Sequence, residues 1–140
     1  MGWRWGFGKA MRTPELGLIV REPYATDIVS GEKTWEIRRY PTHVRGRIGI
    51  ISPRGWIGTV VLADVRGPVS VEVLRRYRTR HRADPAFLEA YARGRPLYVW
   101  ILTDPQAFPE PIPVRRPRGP IVWIRLEEAL GARTADPNGT

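Results

Sequence analysis

The apolar residues of this chain fall into short β-branched or aromatic runs separated by glycine and proline, and this spacing constrains the fold more than any other feature. Residues 16–20, 35–39, 47–52, 57–65, 97–103 and 121–126 each read as a strand, being short, rich in Val, Ile and aromatics, and bounded by turn formers. The runs at 47–52 and 57–65 are joined by Pro53-Arg-Gly-Trp56, which makes them a hairpin candidate. Between the runs lie helical segments. Residues 24–30 place Tyr24 and Ile28 one turn apart and stop at Gly31. Residues 70–82 and 84–93 follow as a helical pair, with Asp84 as a cap, Pro85 at the first helical position and Gly94 as the stop. A Pro-rich loop separates the last two strands. Five or six short strands with helices inserted on one side predict an α+β protein built on a small, partly closed β-barrel.

A chain of 140 residues is one domain long and buries roughly 68–70% of its unfolded surface, so it needs no staple. With no cysteine, a disulfide framework, a thiolate zinc site and a cysteine nucleophile are excluded together. His43 and His81 are the only histidines, so no metal site is expected, and nothing in the sequence calls for a cofactor. The expected division is an N-terminal extension or edge strand at 1–15, the domain at 16–130 and a flexible tail at 131–140. Trp3, Trp5 and Phe7 alternate with polar residues, as an edge strand does; a stacking surface is the other reading of the same pattern. No apolar stretch approaches the roughly 20 residues that span a bilayer, and the start lacks an apolar core of signal-peptide length, so a soluble cytoplasmic protein is expected. Asn138 and Gln106 are the sole residues of their kinds, a depletion that suggests a thermophilic source.

The formal charge is +9, which attracts polyanions, and nucleic acid is the commonest of these in a cytoplasm. Only Lys9 and Lys33 are lysine among the 23 basic residues. One of the two stands in the most polar motif of the chain, where Lys33, Glu36 and Arg38 crowd the junction of a helix and a strand. By alternation Glu36 and Arg38 share one strand face, opposite Trp35 and Ile37, and Gly31 permits the turn that brings Lys33 to the same rim. Spacing alone leaves open whether this is a solvated ion-pair cluster or a site.

The run from Leu18 to Val65 resembles the ASCH domain family of the PUA-like superfamily. The resemblance rests on Pro23-Tyr-Ala25 followed by Gly31, Lys33, Thr34, Glu36 and Arg38, a match to Gly-x-Lys-Thr-x-Glu-x-Arg. Gly46 before the hairpin, Ile57-Gly58, Tyr98-Val-Trp100, Glu110-Pro-Ile-Pro113 and Trp123 extend it over about residues 16–126. Glu22 departs from it, standing where many members carry glutamine. The resemblance implies a PUA-like barrel with a cleft beside the lysine-glutamate-arginine motif that takes RNA or a nucleotide. In such a cleft Arg38 offers a planar fork to phosphate or a base edge, Lys33 a point charge, Glu36 an acceptor for an exocyclic amine and Tyr24 a stacking face. Without a ligand, Glu36 would pair with Arg38 or Lys33.

Other members of the family imply an enzyme instead. One type resembles an amidohydrolase of N4-acylated cytidine that pairs a lysine with a threonine three residues later; Lys33 matches, but that later position is Glu36, and Thr34 lies on the opposite strand face. Another resembles a metal-independent ribonuclease relying on tyrosine, lysine and serine, types that Tyr24, Lys33 and Ser52 supply. As a base, Lys33 would need its pKa lowered by burial or by Arg38, against the pull of Glu36.

The segment 74–82 adds Arg75, Arg76, Arg78, Arg80 and Arg82 on the outside of a helix whose inward stripe is Leu74, Tyr77 and His81. Like charges one turn apart repel, so a polyanion partner accounts for them as well as a solvated face does.

Overall fold

A computed structural model describes residues 12–134 of the chain. The order is β1 (Leu16–Ile19), α1 (Tyr24–Ser30), β2 (Trp35–Arg38), β3 (Gly46–Ser52), β4 (Gly55–Val69), α2 (Val71–Leu74), a 3-10 turn (Arg75–Tyr77), α3 (Arg78–His81), α4 (Pro85–Ala92), β5 (Leu97–Ile112), β6 (Trp123–Arg125) and α5 (Leu126–Thr134). The strands form one six-stranded sheet in the order β2-β5-β4-β3-β1-β6. β1 runs parallel to β3, and every other pairing is antiparallel.

Among the described residues the ladder is not closed, since β2 and β6 are its edges. The sheet nevertheless curls far enough for side chains to bridge β1 and β2: the Arg38 guanidinium on β2 donates through Nη2 to Ile19 O on β1 at 3.1 Å. Trp100 on β5 stacks on Trp123 of β6, with centroids 5.9 Å apart and planes 11° apart. Inside the curl, Leu18, Ile28, Ile48, Ile50, Val60, Leu62 and Leu102 form the main core, and α1 covers one end of it. A second cluster of Leu74, Leu88, Leu97 and Val99 seats the helical segments against the sheet.

β4 and β5 exceed the predicted runs, and β5 absorbs much of the expected Pro-rich loop. β2 pairs only with Tyr98–Ile101, so beyond that point one flank of β5 is a free edge. Prolines 105, 109 and 111, which lack an N–H, are tolerated there. The pairing to β4 runs through Gln106, Ala107 and Ile112, and the register shifts where Asp104 adopts φ +51. At Gly58 the two long strands come so close that a Cβ would stand 2.3 Å from Gln106 O.

Segment 70–82 is not one helix. Ser70 caps α2 by accepting from Val73 N at 3.2 Å, but Tyr77 leaves helical geometry (φ −119, ψ 33) and splits the segment. The two halves carry their guanidinium groups to different acidic partners, Arg75 to Glu89 before the break and Arg78 to Asp84 after it. Leu74 and His81 are buried as expected, whereas Tyr77 is 40% exposed and packs its ring on Trp35. Asp84 stands at the start of α4, yet its carboxylate pairs with Arg78 instead of capping. The last strand is shorter than predicted, and the chain turns at Leu126 into α5, which runs through residues 131–134. Trp3, Trp5 and Phe7 lie outside the described residues. No helix among the described residues is long and apolar enough to cross a membrane.

Candidate functional site

The gap between β1 and β2 is a cavity of about 270 Å³. Its floor is built by the turn that links α1 to β2. Glu22 starts that unit by accepting from both Thr26 N (3.0 Å) and Thr26 Oγ1 (2.8 Å), so its carboxylate is committed to the helix entry. Gly31, at φ +90, ends α1 and reverses the chain, and Lys33 N then donates to Asp27 O at 2.9 Å. This reversal aims the Lys33 side chain inward, where the residue is 3% exposed.

Lys33 Nζ donates to Trp35 O at 2.7 Å and to His81 O at 2.6 Å, and lies 3.4 Å from Glu36 Oε1. It also stands 5.0 Å from the centroid of the Tyr24 ring. Burial draws its pKa below the ordinary lysine value, and Glu36 pulls it part of the way back. Three acceptors around one nitrogen match the three N–H bonds of an ammonium; a neutral amine would turn a lone pair toward one of those oxygens.

Glu36 is also buried, and its Oε2 accepts from Arg38 Nε at 2.7 Å. Burial alone would raise its pKa, but Arg38 and Lys33 more than reverse this, so the carboxyl titrates below the usual range. With Nε on Glu36 and Nη2 on Ile19 O, the Arg38 guanidinium is fixed over Trp100 at 5.6 Å from the ring centroid, and Nη1 has no partner among the described residues. The site is thus a neutralised acid between two cations, with one cation's fork still partly open.

The walls are aromatic. Tyr24 leans on Phe87, and Phe87 stacks on Tyr91 with centroids 5.7 Å apart and planes 11° apart. Arg21 sits 5.5 Å from the Phe87 centroid and Arg39 4.2 Å from that of Tyr91. Burial raises the Tyr24 pKa, keeping the phenol protonated.

This architecture is matched by known proteins. A family model described as the ASCH domain aligns with residues 18–112, more than half of the chain. The chain belongs to the ASCH domain family. The crystal structure of the ASCH protein from Zymomonas mobilis superposes with a TM-score of 0.67 at 24% identity, covering 84% of this chain and 94% of that one. Two mutant forms of the same protein, a serine-to-alanine and a tyrosine-to-phenylalanine variant, give TM-scores of 0.67 and 0.64 at 23% and 22% identity; each covers 90% of this chain, and the match spans 96% and 99% of theirs. At this identity the likeness establishes the fold. Among curated proteins none matches the sequence.

In this ASCH domain Tyr24, Lys33, Glu36 and Arg38 line one cavity; strand alternation had grouped the last two with Lys33 at their rim, and the family resemblance had added Tyr24. Ser52 does not join them: it is buried at the β3–β4 turn, where its Oγ accepts from Arg54 N at 3.0 Å. Thr34 donates its backbone N–H to Arg80 O, and its residue is not part of the cavity wall. The arginine segment adjoins the site from outside. His81 supplies the carbonyl under Lys33, while Arg82 pairs with Asp27 and Glu32, Arg78 with Asp84, and Arg75 with Glu89. Arg80 lies 5.7 Å from the Trp35 centroid, and Arg76 makes no ion pair among the described residues. Arg21, Phe87 and Tyr91 join the wall without having been expected there. The signal for the last two was their one-turn spacing on α4, which marks a shared helix face without saying what that face meets.

Proposed function

We propose that this ASCH protein binds RNA through the β1–β2 cleft, taking an unpaired and in some cases modified nucleotide. The observation that carries this reading is the buried Lys33–Glu36 pair joined to a half-buried Arg38 on the floor of an aromatic-walled cavity in a chain of charge +9. A cavity of about 270 Å³ suits one splayed-out base and cannot admit a duplex. Tyr24 and Phe87 offer ring faces, the Arg38 fork a donor pair, and the remaining lone pairs of Glu36 an acceptor for an exocyclic amine. Arg21 and Arg38 in the lining, and Arg39 over the outer wall residue Tyr91, are the cations available to the backbone phosphates. At roughly −0.7 per phosphate contact on a single strand, three such contacts give a salt slope of about −2.

A hydrolase with Lys33 as base is the second reading. The three acceptors around Nζ favour a permanently charged anchor over a base, because each one stabilises the ammonium. Fluorescence anisotropy with short single-stranded RNA tests the binding reading. Arg38→Ala should weaken binding about tenfold or more and flatten the salt slope, while Arg54→Ala, in the β3–β4 turn, should leave the cleft affinity intact. Equal losses in both variants would refute the cleft assignment. Turnover of N4-acetylcytidine or of labelled RNA without added metal, abolished in Lys33→Ala, would replace binding with catalysis.

A further inference from the structure

Beside the cleft lies a second, shallower depression of about 490 Å³, and the two share Arg38 and Tyr91 as a common wall. Tyr40, Ile121 and Val122 line it, and these are three of the four large hydrophobic residues exposed among the described residues. Single exposed apolar residues are ordinary; three gathered at one depression next to a binding cleft are not. Tyr40 is 73% exposed, yet its backbone is pinned, because Trp100 Nε1 donates to Tyr40 O at 3.0 Å. The Trp100–Trp123 stack lines the depression as well. Among the described residues no acidic side chain lines it, and Arg38 and Arg39 stand at its junction with the cleft.

We infer that this depression is a subsite for the nucleotide adjacent to the one in the cleft, with Tyr40 as its stacking platform and Arg38 and Arg39 on the phosphate between them. The inference rests on the RNA reading and extends it: the ligand is an oligonucleotide of at least two residues, not a free nucleoside. An aromatic face on a fixed backbone, apolar neighbours and arginines at the rim is the combination that single-stranded nucleic acid requires. The same charge pattern disfavours a second copy of this basic chain.

The test compares the four nucleoside monophosphates with the matching pentanucleotides, using wild type, Tyr40→Ala and Tyr40→Trp. Wild type should bind a pentanucleotide more tightly than its monophosphate. Tyr40→Ala should lose at least about fivefold on the pentanucleotide and nothing on the monophosphate, and Tyr40→Trp should keep the affinity. An unchanged pentanucleotide affinity in Tyr40→Ala overturns the subsite and leaves the cleft reading standing. Failure of wild type to bind any of these ligands overturns the cleft reading and the subsite with it. Sedimentation provides a further check: a doubling of mass with concentration that Tyr40→Ala abolishes would assign the face to self-association and overturn the proposal.

Discussion

Replacing Lys33 by methionine isolates the anchor of the site. Methionine fills much of the aliphatic volume, so the change removes the ammonium and leaves three acceptors behind. Two are backbone carbonyls held at 2.7 and 2.6 Å, and the third is Glu36 Oε1 at 3.4 Å, all around a side chain only 2% exposed. Hydrogen bonds to a charged group contribute about 1.5–3 kcal/mol each, and breaking a buried ion pair costs about 3–5 kcal/mol. Relief of the ammonium's own desolvation and the remaining Arg38–Glu36 pair offset part of this, which leaves a net loss of about 3–4 kcal/mol. Domains of this size are stable by about 5–15 kcal/mol, so the variant should still fold. At a urea slope of about 1–3 kcal/mol/M its midpoint should fall by at least about 1 M. Lys33→Arg should also destabilise, because a planar fork cannot satisfy three acceptors grouped around one point. A loss below about 1 kcal/mol in Lys33→Met would mean that the triad does not tie β2 to the arginine segment.

Further outcomes follow from the same geometry. His81 is buried with Nε2 2.7 Å from Leu74 O and Nδ1 accepting from Ala83 N at 3.0 Å, which fixes the neutral Nε2–H tautomer. Burial lowers its pKa, opposed by the bond to Leu74 and aided by Lys33 and Arg78; the unfolded chain therefore takes up the proton first, and stability should fall as pH drops below about 6.5. In His81→Gln the urea midpoint should vary less between pH 7 and 5; a slope as steep as wild type would remove His81 from the account. Gly58→Ala should cost about 3 kcal/mol or prevent folding, because its Cβ would meet Gln106 O at 2.3 Å, and a thermal melt close to wild type would contradict that close approach.

The fold class was legible because alternation and punctuation report local structure well. Trp35 to Arg38 and Leu97 to Ile101 were recognisable strands on their own. The extension of β5 was hidden, since Pro105, Pro109 and Pro111 argue against a central strand and only the pairing shows that one flank is an edge. The helix break at Tyr77 was likewise hidden. The arginine run could be read locally, but its pairing with Asp27, Glu32, Asp84 and Glu89 depends on which segments meet in space. The same holds for the cleft. Lys33, Glu36 and Arg38 are neighbours in sequence and could be grouped from it, whereas Phe87, Tyr91 and Arg21 arrive from other elements. Nothing in their local spacing names the wall they build.

Whether the β1–β2 cleft holds an unpaired RNA nucleotide can be read out residue by residue. Titrating isotope-labelled protein with a single-stranded pentanucleotide while following backbone amides and arginine Nε–H resonances by NMR addresses it most directly. Saturable shifts are expected at Arg38 Nε–H and at the amides of Tyr24, Glu36 and Tyr91, joined by Tyr40. Shifts confined to Arg75, Arg76, Arg78, Arg80 and Arg82, with the cleft resonances unmoved, would contradict binding in the cleft.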